Sequence, residues 1–173
     1  MVGEPVGGTD DRAAAWSDVV RATYVDIRGP LWRAILAWSA SIEVADEAVA
    51  EGFAQLLRRG REVRDPAAWV WRASFRLAAG DLQRRRSDGS GSADGLDRLV
   101  AAADRLPDDA IDLVRAMAQL SDQQRRCVAL VDIAGHTAPS AAEVLGTSAA
   151  TVRVQLMRAR RRLRALLEDE VTP

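Results

Sequence analysis

The 173-residue chain contains no lysine: all 24 of its basic residues are arginine, set against 25 acidic ones. A GC-rich genome accounts for most of such a bias, but arginine is always charged and forks onto phosphates and base edges, which suits a nucleic-acid binder. Cysteine occurs once, at Cys127, which excludes an intramolecular disulfide and a Cys-based metal cluster. Histidine also occurs once, at His136, so the chain has no His-paired nucleophile built from two histidines and no two-histidine metal site. Cys127 reads as a small apolar filler within a helix, and His136 as a loop residue. No run of about 18 apolar residues is present, and the N-terminal stretch MVGEPVGGTDDR lacks the basic-then-apolar order of a signal peptide. The expectation is a cytoplasmic, nucleoid-associated protein with no membrane insertion. A Gly-rich phosphate loop and a nucleophile constellation are missing as well, so no enzymatic activity, no cofactor and no bound metal are expected.

What remains is a composition of 48% hydrophobic and 28% charged residues, which fits a folded, soluble chain. Glycine, proline and β-branched alternation are scarce inside the long segments, where Ala, Leu, Arg and Glu dominate, so the predicted class is all-α. Helices are predicted over 16–40, bent near Pro30, over 42–59, and in a third segment that has Pro66 in its first turn and carries Trp69 to Arg86. SDGSGSADG, residues 87–95, has the composition of a flexible linker. Beyond it, helices are predicted over 108–120, 121–133 with Ser121 as its cap, 138–145 and 149–168. The expected architecture is two small helical domains joined by a flexible linker, the C-terminal one containing a helix-turn-helix. Its boundaries are a disordered tail over 1–13, a first domain over 14–86, a linker over 87–107 and a second domain over 108–173.

The segment from Ser148 to Arg164 holds six arginines and no acid, in a chain whose net charge is only -1. Thr137 and Ser148 are placed as N-caps, and Gly146 falls where a helix ends in a left-handed residue, so LGTS reads as a tight turn. Ala142 before the turn lets two helices cross closely, and Val152 after it packs into the crossing, as in a helix-turn-helix whose second helix enters the major groove. Val152, Leu156, Ala159, Leu163 and Leu166 or Leu167 form a narrow apolar seam, with Arg153, Gln155, Arg158, Arg160, Arg162 and Arg164 away from it. An ordinary solvated helix would intersperse Glu for i to i+4 pairs, and this one has none before Glu168. The one-signed face points to DNA. Arg153 and Gln155, near the helix start, suit guanine and adenine edges. Arg158, Arg160, Arg161 and Arg162 suit phosphates, as do Ser148 and Thr151 at the helix N-terminus.

Two blocks of sequence then carry a family resemblance. VADEAVAEGFAQLL, with Asp46, Glu47, Val49, Glu51 and Phe53, is followed by RDPAAWVWRASFRLAAGDLQRRR; the second block runs from Leu120 to Leu167. Together they resemble the extracytoplasmic-function (ECF) sigma factors of the sigma-70 family of bacterial RNA polymerase. The resemblance implies that Asp46, Glu47, Val49, Glu51 and Phe53 dock on core RNA polymerase. It implies that Trp69, Trp71, Arg72, Arg76, Arg84 and Arg85 open and read the minus-10 element, and that Ser148, Thr151, Arg153, Gln155, Arg158, Arg160, Arg161 and Arg162 bind the minus-35 element. The implied partners are core RNA polymerase, through the clamp of its largest subunit and the flap of the second largest, promoter DNA and, as is common in the family, an anti-sigma factor. Ala50, Arg76, Gly80, Ala141 and Gln155 depart from the family pattern and bear on which promoter is read. The alternative is a free-standing helix-turn-helix regulator whose N-terminal half dimerises or senses; association with polymerase discriminates the two.

Overall fold

In a computed structural model of the chain, residues 7–88, 113 and 115–170 are described. The predicted tail up to residue 6, most of the 87–107 linker and the first residues of the 108–120 helix lie outside them. The described residues are helical, with no strand among them. Helix α1 spans Gly7–Ser39, α2 Ile42–Arg59 and α3 Pro66–Ser87, with a short 3-10 turn over Gly60–Glu62. Helix α4, Asp122–Val128, runs on into a π-helical turn over Ala129–Ile133; α5 spans Ala138–Leu145 and α6 Ala149–Glu170.

Most ends of these helices follow from single residues. Ser41 caps α2, its hydroxyl accepting from the Val44 amide at 3.3 Å, and Asp65 caps α3 ahead of Pro66 by accepting from Ala68 at 2.9 Å. Ser121 and Gln124 form a reciprocal capping box on α4. Helix α1 differs from its prediction: it begins at Gly7, ahead of residue 16, and runs through Pro30. The added stretch contains Ala, Asp and Arg, which a helix accepts in its first turns, and Pro30 removes one hydrogen bond without ending a helix whose next turns are buried through Leu31, Ile35 and Trp38. Between α1 and α2, Ala40 takes a left-handed conformation with φ 55°, and this lets the chain reverse onto Ser41.

Helix α2 packs on both α1 and α3, and α6 packs on α4 and α5, giving two helical units. Their apolar interiors join. One continuous cluster includes Leu31, Ile35 and Trp38 of α1, Val44 and Leu56 of α2, Val70 and Phe75 of α3, Met117, Leu130 of the π-turn and Val152 of α6. Cys127 lies within it, and burial pushes its thiol pKa up. The seam between the units is ordered by Asp122. Its Oδ1 accepts the Trp38 indole N–H at 2.9 Å, while Arg126 lies at 2.8 Å, Arg86 at 3.7 Å and Arg125 at 3.8 Å. The Arg126 guanidinium also sits 4.5 Å from the centre of the Trp38 ring, which in turn stacks on Phe75 at 5.3 Å.

Helices α2 and α3 cross where Gly52 meets Ser74. A Cβ at Gly52 would overlap the fully buried Ser74 Oγ, which has no hydrogen-bond partner; the next atom, Ser74 Cβ, would stand at an ordinary 3.5 Å. Gly52→Ala should therefore destabilise the protein by about 1 to 3 kcal/mol through overpacking. Adding Ser74→Ala should recover most of that loss, and denaturant titration of the double-mutant cycle measures both. A second expectation concerns the seam. Asp122→Ala leaves the buried Trp38 N–H without an acceptor and should lower stability by about 1 to 3 kcal/mol. Asp122→Asn, which keeps an acceptor oxygen, should lose less by the same measurement.

Candidate nucleic-acid interface

The helix-turn-helix is built from α5, the turn and α6. Thr137 Oγ1 accepts from the Ser140 amide at 3.3 Å and starts α5 over Pro139. Gly146, at φ 65° and ψ 39°, ends it in the left-handed region, where a side chain would be strained. Ser148 starts α6 by accepting from the Thr151 amide at 3.0 Å, and its hydroxyl also meets Thr151 Oγ1 at 2.9 Å. Ala141 and Ala142 are buried in α5 and Val152, Leu156 and Ala159 in α6, so small residues on one helix admit the apolar seam of the other.

Outside that seam the predicted DNA-binding residues divide. Arg153, Arg158, Arg161 and Arg162 are exposed, and none of them pairs with a carboxylate among the described residues. Arg160 is held within the domain: its Nε donates to Asp132 Oδ2 at 3.2 Å, and hydrogen bonding to Asp132 raises its pKa. Gln155 also turns inward, its amide donating to Gln123 Oε1 at 3.3 Å. Two exposed residues absent from the predicted set, Val154 and Met157, stand between the arginines. The period-3.6 pattern places them outside the seam, yet their apolar character hid them from a search for charge.

The predicted minus-10 residues lie on α3. Trp71 is buried, edge-on to His136 with ring centres 4.4 Å apart, whereas Trp69 is half-buried. Two tryptophans two positions apart cannot both face one core. Arg72 and Arg76 line a groove of about 400 Å³ between α3 and α5, together with Arg126, Glu143, Leu145 and Gly146. Arg84 and Arg85 are both bound by Asp81, at 3.0 and 2.6 Å, a partner not singled out in the sequence because i to i+3 and i to i+4 acids are common.

The predicted polymerase-binding residues lie on α2 and are split by its amphipathic period. Val49 and Phe53 are buried, while Asp46 and Glu47 are exposed. Asp46 accepts the Trp32 indole N–H at 2.8 Å. Glu51 accepts from Gln55 at 3.0 Å and pairs with Arg58, and these hydrogen bonds hold its pKa below the usual carboxylate range. Glu47, Ala50, Glu51 and Ala54 form one wall of an open groove of about 520 Å³, with Leu77 and Asp81 of α3 on the other. The sequence gives no sign of this groove, because it depends on how α2 crosses α3.

Residues 110–163 match the model of the Sigma-70, region 4 family. That span contains α4, the π-turn, α5 and most of α6, so the match coincides with the helix-turn-helix. The match places a sigma-70 region 4 segment in the C-terminal part of the chain. The fold of the chain is that of ECF sigma factors. It is similar to CnrH, solved with the cytosolic domain of CnrY, with a TM-score of 0.69 and 22% identity over 92% of this chain and 94% of that one. It is also similar to the sigma factor RpoE of Bartonella quintana, solved with the anti-sigma factor NepR, with a TM-score of 0.63 and 20% identity over 86% of this chain and 96% of that one. A comparison with curated proteins finds no match. No helix among the described residues is long and apolar enough to cross a membrane.

His136 gives the seam a pH dependence. Burial beside Trp71 lowers its pKa, since the imidazolium would lose hydration there. The unfolded chain binds the proton near pH 6.5, whereas the folded chain resists it to lower pH, so the neutral ring's contribution is complete above about pH 6.5 and is lost as pH falls through the folded value. The thermal midpoint should drop between pH 7.5 and pH 5.5, and His136→Gln should flatten that drop. An unchanged pH slope in the variant would remove His136 from the titration.

Proposed function

We propose that the chain is an ECF-type sigma factor that binds core RNA polymerase and directs it to promoters, recognising two DNA elements and helping to open the duplex. The observation that carries this reading is the outer face of α6. In a helix-turn-helix within a sigma-70 region 4 match, Arg153, Arg158, Arg161 and Arg162 are exposed and have no acidic partner among the described residues, while Arg58, Arg84, Arg85, Arg126 and Arg160 all have one. A row of unneutralised guanidinium groups on a groove-sized rod suits the phosphates of a duplex. The division of roles follows: residues 14–86 take the polymerase through Asp46, Glu47 and Glu51 and the minus-10 element through Trp69 and Arg76, and residues 108–173 take the minus-35 element. Both named structural relatives were solved with a bound partner protein, one of them an anti-sigma factor, which supports the same mode of control here. A sigma factor breaks no covalent bond, so this reading includes no catalytic residue.

Purified chain and core RNA polymerase provide the test. Arg153→Ala should reduce transcription from a cognate promoter about 5-fold or more, the scale of one base contact, with polymerase association unchanged. Glu47→Arg, at an exposed position on the α2 groove, should instead weaken association with the polymerase. If the wild-type chain neither co-purifies with core polymerase nor changes the start sites that the polymerase uses, the free-standing regulator becomes the better reading.

A further inference from the structure

The buried edge of α6, formed by Val152, Leu156 and Ala159, fixes which residues project farthest outward. At about 100° per residue, Ala150, Val154, Met157 and Arg161 lie on the opposite side. Arg153 and Arg158 flank them, and Gln155 and Arg160 are turned back toward Gln123 and Asp132. The outermost strip of the most cationic helix in the chain is therefore largely apolar over its first two turns. Val154 is 42% and Met157 65% exposed, and the two are one helical turn apart. Single exposed apolar residues are ordinary, but an Ala-Val-Met strip along the centre line of a helix otherwise bordered by arginine is not what solvation selects.

Given the DNA reading above, on which this step rests, we infer that Val154 and Met157 read the C5-methyl groups of thymine in the major groove of the minus-35 element. The chemistry distinguishes this from phosphate contact. Of the major-groove edges, only thymine offers an apolar group, and valine or methionine can gain from it while neither can hydrogen-bond to any base. The two side chains read it differently. Val154 is β-branched and confined to few rotamers in a helix, so it specifies one position. Met157 is unbranched and flexible, so it tolerates a methyl on either of two neighbouring pairs. Arg153, on the adjacent flank, supplies the polar contact with a guanine beside the thymines. The element is thus specified by two kinds of contact, guanidinium to guanine and aliphatic side chain to thymine methyl.

The test uses the full chain assembled with core RNA polymerase. A random-sequence duplex pool is selected on this holoenzyme, and each thymine of the enriched upstream element is then replaced by deoxyuridine, which deletes the methyl group and leaves the pairing intact. Competition binding should fall about 3- to 5-fold at one or two positions, the size expected for one buried methyl. With Val154→Ala or Met157→Ala, both at exposed sites where alanine favours the helix, the thymine and deoxyuridine duplexes should bind equally at the affected position. Circular dichroism confirms that the variants fold. An upstream element that tolerates deoxyuridine everywhere, or a methyl effect that persists in both variants, overturns the inference while leaving DNA binding standing. If the holoenzyme enriches no upstream sequence over core polymerase alone, the DNA reading of α6 fails and takes the inference with it.

Discussion

The carboxylate of Asp122 is the constraint on which the placement of the rest depends. It accepts the indole N–H of a nearly fully buried tryptophan from α1 and is surrounded by Arg86 of α3 and by Arg125 and Arg126 of its own helix. Without it the Trp38 N–H would be buried and unpaired, and three guanidinium groups would converge with nothing to balance them. With it, α1 is held against α4, Arg86 of α3 is tied to the same carboxylate, and α4 in turn packs on α6. Through α4, the Asp122 seam thus bears on how α6 sits relative to α1.

Charge pairing shows the same division. Arginines with structural work have local partners: Arg58 has Glu51, Arg84 and Arg85 share Asp81, Arg126 has Asp122 and Arg160 has Asp132. Such exposed or half-exposed pairs contribute little to stability, on the order of 0 to 1 kcal/mol each, so their main effect is to hold side chains in place and locally cancel charge. Arg153, Arg158, Arg161 and Arg162 of α6 have no such partner among the described residues. Their field therefore reaches outward, screened over about 10 Å at moderate salt, which under the proposed function favours a polyanion at this face.

The turn and its caps were legible in the sequence because each rests on one residue and a fixed offset. Thr137 and Ser148 cap as their positions require, Gly146 adopts the left-handed conformation, and the Val152, Leu156 and Ala159 spacing is the buried edge. The seam was not legible. Asp122 looks like an ordinary acid in the first turn of a helix, and its partner Trp38 lies across the intervening linker, so no periodic pattern connects them. A helical wheel likewise shows that Gln155 and Arg160 leave the apolar edge, but not that Gln123 and Asp132 wait on either side of it. Val154 and Met157 were not legible for a different reason: an apolar residue outside a core stripe carries neither the charge of a phosphate contact nor the period of a core position.

The seam also sorts the residues of α3. Trp71 lies 5% exposed against His136 and Phe75, so its ring is committed to the contact between the units, while Arg72 and Arg76 both border the groove shared with α5. On the same helix Trp69 keeps part of its ring in solvent and Arg76 is exposed. An unpaired base that approaches α3 in this arrangement meets Trp69 and Arg76 first, because reaching Trp71 requires separating its ring from His136. Stacking on a solvent-facing aromatic needs no such rearrangement, and each stacked base gains about 1 to 3 kcal/mol. Trp71, in contrast, would first have to give up its edge contact with His136 and the apolar burial around it, a loss of the same order, so under the proposed function an unpaired base is expected to stack on Trp69 rather than on Trp71.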